Sequence, residues 1–166
     1  MHQRFSTLRV YYILKVFKMT SNESSVRIRK VAKDLDNAVE KHDIEFVLSC
    51  FLDDCEVEFS GIVLKGKCHL KKALNWLYNI FGDIKFDPIV IMVDGNVFFE
   101  EFILKGDKGG KKLEVKAAEV LIYKNYKVKT LRLYIDRLQV ANGLSEGFFE
   151  KIILKMINKK SFKGLK

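Results

Sequence analysis

Apolar and polar side chains alternate most regularly between Lys112 and Val140, where Val120, Ile122, Leu131, Leu133 and Ile135 interleave with Glu119, Leu121, Arg132, Tyr134 and Asp136. A period of two marks strands whose faces meet different surroundings, so the stretch predicts two long strands joined at Asn125-Tyr126. With a two-residue turn, Glu119 lies opposite Arg132 and Ala117 opposite Tyr134. An acid, a guanidinium, a phenol and Asp136 then share one face. The other face is aliphatic and predicts either a homodimer contact or the wall of an internal pocket.

Upstream the period lengthens to that of a helix. Ile28, Val31, Ala32, Leu35, Ala38 and Val39 recur at helical spacing up to about Lys41, with Ser24 or Ser25 as the cap. Asp43 caps a short second helix carrying Ile44, Val47, Leu48 and Phe51, and a brief strand, Cys55 to Phe59, follows. After Gly61 and Gly66, the positions Leu70, Ala73, Leu74, Leu77, Tyr78 and Phe81 predict a third amphipathic helix, with Trp76 able to flank a pocket. Beyond Gly82 come strands at Lys85 to Val93 and Asn96 to Lys105, turned at Asp94-Gly95. Pro88 is tolerable in the first of these only at an edge or a bulge. The glycines at 106, 109 and 110 sit between strands, with no helix to hold an anion, and predict a hairpin loop.

Helices, a short strand, a helix and then a four-strand meander make an α+β pattern: a curved mixed or antiparallel sheet, a cone with the N-terminal helices on its concave side. The 166 residues, 48% apolar, suit one domain. The net charge of +9 is concentrated at the ends, +3 in residues 1–24 and +4 in residues 143–166. The middle keeps too little for a nucleic-acid face. Three cysteines, Cys50, Cys55 and Cys68, form no C-x-x-C pair and read as reduced thiols of a cytoplasmic protein. The spacing of His2, His42 and His69 fits no metal site, so neither metal nor cofactor is expected.

At the N-terminus, residues 1–24 read as an extension, with Met19 an alternative start, and the body spans 25–142. In residues 143–166, Leu144, Phe148, Phe149, Ile152, Ile153, Met156 and Ile157 form one apolar stripe with lysines off it and Ser145 as cap. Closing the open end of the cone or joining a second subunit is favoured over contact with an anionic membrane.

The run Asp43 to Phe59, Gly66, and the run Ala117 to Asp136 (AAEVLIYKNYKVKTLRLYID) resemble the nuclear transport factor 2-like superfamily over about residues 26–140. The nearest branches are the SnoaL-like polyketide cyclases and the ketosteroid isomerases. Tyr126 stands where the family usually has glycine. The resemblance implies a cone binding a small apolar molecule, with Leu35, Phe59, Trp76 and Glu101 around the ligand. It places Leu35 at the isomerases' tyrosine and Phe59 at their proton-shuttling carboxylate, which argues against that activity. Glu119 corresponds to their oxyanion-side acid, and Asp136 to the acid/base of the cyclases. Asp136 would then move the proton, with Glu119, Arg132 and Tyr134 orienting the substrate in a cofactor-independent cyclase or isomerase. The alternative is a binding or dimerisation module without turnover.

Overall fold

The computed structural model describes residues 23–59, 61–145 and 148–161. Most of the N-terminal extension, including Met19, lies outside them. Residues 23–40 are helical (α1), so Ser24 and Ser25 sit inside the first turns instead of capping them. The expected face is buried: Ile28, Ala32, Leu35, Ala38 and Val39 all enter the core. Asp43 caps α2 (Ile44–Cys50) by accepting from the Phe46 N–H at 3.0 Å. Phe51 ends that helix and opens β1 (Phe51–Phe59), four residues earlier than the apolar spacing suggested. A short β2 (Ile62–Lys65), not foreseen, leads to α3 (Gly66–Phe81).

Four antiparallel strands follow: β3 (Asp83–Asp94), β4 (Val97–Lys108), β5 (Lys111–Lys124) and β6 (Lys127–Ile135). The sheet order is β2-β1-β6-β5-β4-β3, with β1 parallel to β6. This six-stranded curved sheet, with helices on its inner side, is the mixed cone that the pattern predicted. β3 is an edge strand, and its register shifts between Pro88 and Val90, which removes the need for a donor at Pro88. Glu40 ties α1 to that edge by accepting from the Phe86 N–H and the Lys85 ammonium, both at 2.9 Å. Gly82 is obligatory: it has φ +66°, and a Cβ there would lie 2.2 Å from the Asp107 carbonyl oxygen.

The turn between β5 and β6 does take two residues, Asn125 and Tyr126, both with positive φ, as a type I′ turn demands. The Arg27 guanidinium lies 3.8 Å over the Tyr126 ring, a cation–π contact that helps hold a large side chain in a strained conformation. Lys124 pairs with Lys127 and Tyr123 with Val128, but the register then shifts, and Ile122 pairs with Thr130. Lys129 is the extra residue of a β-bulge. Every pair beyond it moves by one: Glu119 faces Leu133, and Val120 faces Arg132. The sharing of one face by Glu119, Arg132, Tyr134 and Asp136 is therefore corrected, because a one-residue slip sends alternate side chains to the opposite side.

The same slip divides the predicted aliphatic face. Val120 and Ile122 lie on the outer side of β5, opposite the inward Glu119, Leu121 and Tyr123. Leu131, Leu133 and Ile135 line the interior instead.

The C-terminal segment is two helices, α4 (Arg137–Leu144) and α5 (Phe148–Ser161). It is α4 that borders the interior, through Val140, Ala141 and Leu144. On α5, Ile152, Ile153, Met156 and Ile157 are exposed, so the expected closure of the cone by this stripe is corrected. The side chains of Phe148 and Phe149 lie outside the described part. Among the described residues, no helix is long and apolar enough to cross a membrane.

Candidate active site in the cone

Strand parity decides what enters the cone. On β4 the inward positions are Phe98, Glu100, Phe102 and Leu104, and on β5 they are Leu113, Val115, Ala117, Glu119, Leu121 and Tyr123. Glu100 and Glu119 are direct cross-strand partners, so two acids stand side by side on the concave face. Asp36 reaches them from α1. Carboxylate oxygens of Asp36, Glu100 and Glu119 all lie within 4.8 Å of one another, close enough to clamp one small cation. Glu100 is 1% exposed and Glu119 9%.

The electrostatics are one-sided. Burial, then the charges of Glu100 and Glu40, pushes the Asp36 carboxyl far up. Burial pushes Glu100 up to about 7. Glu119 is raised well above the carboxylate range by burial first and then by Asp36 and Glu100. All the charges named are negative, and among the described residues no salt bridge reaches the three acids. Neither oxygen of Glu100 has a hydrogen-bond partner, nor has the Tyr123 hydroxyl. Tyr123 is 3% exposed, and its phenol is held neutral by burial and by the charges of Glu119, Asp36 and others. A carboxyl group among like charges in an apolar enclosure keeps its proton to neutral pH and above. Three such groups form a store of exchangeable protons.

Asp36 and Glu119 also line a cavity of about 80 Å³ whose remaining wall is aliphatic and aromatic, Leu35 included. A larger apolar groove of about 580 Å³ lies between α3, β6 and α4, with Phe59 and Trp76 in its wall. Their rings stand 5.0 Å apart. Leu70, Leu74, Leu77, Leu131 and Leu133 belong to both spaces, so leucines alone stand between the groove and the cavity that Asp36 and Glu119 line. Leu35, Phe59 and Trp76 line these two spaces. Glu101 does not: it is the outward neighbour of Glu100.

The other expected groups are displaced too. Arg132 lies outside and pairs with Glu58 at 3.5 Å, not with Glu119. Asp136 is exposed and caps α4, its Oδ1 accepting from the N–H groups of Leu138 at 2.9 Å and Gln139 at 3.1 Å. Both of those bonds hold a helix end, and neither points into the cone. Tyr134, Glu101 and Asp136 do come together, with Lys116 and Arg137, around an outer groove of about 530 Å³ that is open to solvent. Glu119 is absent from it. Asp36 and Glu100 were not anticipated. Their signal is faint: Asp36 interrupts an apolar helix face, and Glu100 falls between Phe98 and Phe102.

The sequence profile of the SnoaL-like domain matches residues 32–130, more than half of the chain. The chain belongs to the SnoaL-like family. The matched span contains Asp36, Glu100 and Glu119 of this SnoaL-like domain and ends before Asp136. No sequence among the curated proteins matches it. An LEH-like epoxide hydrolase from M. tuberculosis shares its fold at 16% identity and a TM-score of 0.63, over 81% of this chain and 98% of that one. The epoxide hydrolase/cyclase-like enzyme SalBIII, of pyran ring formation in the polyether salinomycin, does so at 12% identity and a TM-score of 0.60, over 68% and 92%. A protein of Jannaschia sp. CCS1, proposed as a SnoaL-like polyketide cyclase, reaches a TM-score of 0.68 at 14% identity, over 75% and 95%. Identities this low carry the fold, and chemistry must be argued from the site.

Proposed function

We propose that this SnoaL-like domain binds a small, largely apolar molecule in the cone and moves protons on it with Asp36, Glu100 and Glu119, as a cofactor-independent enzyme of the cyclase, isomerase or epoxide-opening type. The observation that carries this is the contact of buried, mutually repelling carboxyl groups with an apolar space. A protonated member can donate to a substrate oxygen while an ionised neighbour withdraws a proton from carbon or water. The acid/base role expected of Asp136 passes to this cluster, because the Asp136 carboxylate is engaged in capping α4.

The test has two arms. Nile red should bind and shift its emission in the native chain and fail to do so in Leu133→Trp, which fills the junction of the two spaces. A metabolite that copurifies with the protein, or an apolar epoxide, should be turned over by the native chain and bound without turnover by Asp36→Asn. Dye binding that survives in Leu133→Trp refutes the interior site, and turnover that survives in Asp36→Asn refutes the acid/base assignment.

A second reading, a non-catalytic module that self-associates, has its own observation: the edge strand β3 exposes Ile89, Val90, Ile91 and Met92 in one run. Light scattering decides it. A dimer of the native chain that dissociates in Met92→Glu supports this reading, and a monomer at micromolar concentration removes it.

A further inference from the structure

We propose that the molecule bound in the cone is an amphiphilic amine, an apolar body carrying one protonated primary or secondary nitrogen whose N–H groups go to Asp36, Glu100 and Glu119. This rests on the reading above that the interior is the ligand site, and names what the ligand must bring to it. Asp36 and Glu119 line an inner cavity otherwise walled by aliphatic and aromatic side chains, with the Glu100 carboxyl oxygens within 4.8 Å of theirs, and the adjoining groove is apolar but for Lys72 and Arg137. What they lack is a cation. The charges acting on Asp36 are those of Glu100 and Glu40, and those acting on Glu119 are Asp36 and Glu100.

The second observation is independent of the acids' spacing. The Tyr123 hydroxyl, 3% exposed and within the field of all three acids, has no hydrogen-bond partner. The two unpartnered oxygens of Glu100 add acceptors in the same place. A buried polar atom without a partner costs roughly 1–3 kcal/mol, so a group bearing several N–H donors would satisfy what the protein leaves open.

The balance of charge selects an organic cation over a metal ion. Binding one ammonium requires the three acids to release one proton, and the enclosure keeps its net charge. A divalent ion would need most of the protons removed, and it would have to shed tightly held water before passing between Leu74, Leu77 and Leu133. An apolar tail passes there at a gain, since it leaves water for the groove. A carboxylate headgroup is disfavoured, since it brings no N–H donor and is repelled by whichever acid is ionised.

Calorimetry with octylamine, 1-octanol and octanoate, which share one tail, tests this on the full chain. At about pH 8 octylamine should bind about tenfold or more tighter than octanol, with octanoate weakest, and the preference should shrink toward about pH 5 as the acids take back their protons. The groups that face the nitrogen and set this dependence are Asp36 of α1, Glu100 of β4, and Glu119 and Tyr123 of β5, while Glu40 acts on Asp36 from the β3 edge, where Lys85 pairs it. Glu119→Gln should reduce the preference of octylamine over octanol by about threefold or more, because one of the three acceptors is lost. If octanol binds as tightly as octylamine, the acids serve only as neutral donors; the amine is refuted and the interior site stands. If none of the three displaces Nile red, the interior site itself falls. A preference undiminished in Glu119→Gln, or magnesium chloride alone stabilising the native chain and not Glu119→Gln, also overturns the proposal.

Discussion

Replacing Glu100 by Gln should lessen the loss of stability as pH rises. Burial raises this carboxyl from its ordinary 4.5 to about 7. In the unfolded chain the group ionises near its ordinary value, so between the two values the folded state holds more protons than the unfolded state. Stability contributed by the protonated group is therefore fully present below about pH 4.5 and is lost as pH rises through about 7. A shift of that size, at 1.36 kcal/mol per unit, corresponds to about 3 kcal/mol between about pH 4 and about pH 8.5. Gln has nearly the same shape and never ionises. Its amide can cost as much as a lost hydrogen bond, but that cost is the same at both pH values and cancels in the difference. Urea denaturation of both proteins at the two pH values is the assay, and thermal melts should show the same swing as roughly 6–12 °C for a chain of this size. The native protein should lose stability toward alkaline pH, and Glu100→Gln should lose less by about 3 kcal/mol, more if Asp36 and Glu119 relax as well. Parallel pH profiles for the two proteins would refute the argument, since they would mean that Glu100 is solvated or paired in solution.

Other perturbations separate the parts of the fold. Asp136→Ala should cost about 1 kcal/mol through loss of the α4 cap while Asp136→Asn stays near the native value, as paired denaturation curves would show. Arg132→Ala should change stability by no more than about 0.5 kcal/mol, because its partner Glu58 is half-exposed and neither is buried; a loss above about 2 kcal/mol in the same assay would restore a buried role for the guanidinium. Gly82→Ala should destabilise by more than about 3 kcal/mol, or prevent soluble expression, because the new Cβ meets the Asp107 carbonyl in a left-handed backbone.

What the sequence determined by itself is what local pattern can encode. The period of 3.6 in residues 28–39 and 70–81, the alternation from residue 97 onward, the Asp43 cap and the hairpin at Asp94-Gly95 each follow from interactions within a few residues. Together they specified an α+β pattern. The acids were decided elsewhere. In Phe98-Phe99-Glu100-Glu101-Phe102 either frame of alternation puts a glutamate between apolar neighbours, so Glu100 and Glu101 cannot be told apart until the sheet curls and α1 covers one side. The bulge at Lys129 has no local signature either; it shifts β6 by one residue against β5, exchanges Arg132 for Leu133 opposite Glu119, and carries Tyr134 outside. Asp136 reads equally well as the end of a strand or the cap of the next helix, and only the hydrogen bonds from Leu138 and Gln139 distinguish them. The meeting of Asp36 with Glu100 and Glu119 joins positions more than sixty residues apart, and it exists only because hydrophobic burial presses α1 against β4 and β5, where each acid loses its water and acquires the others' charge.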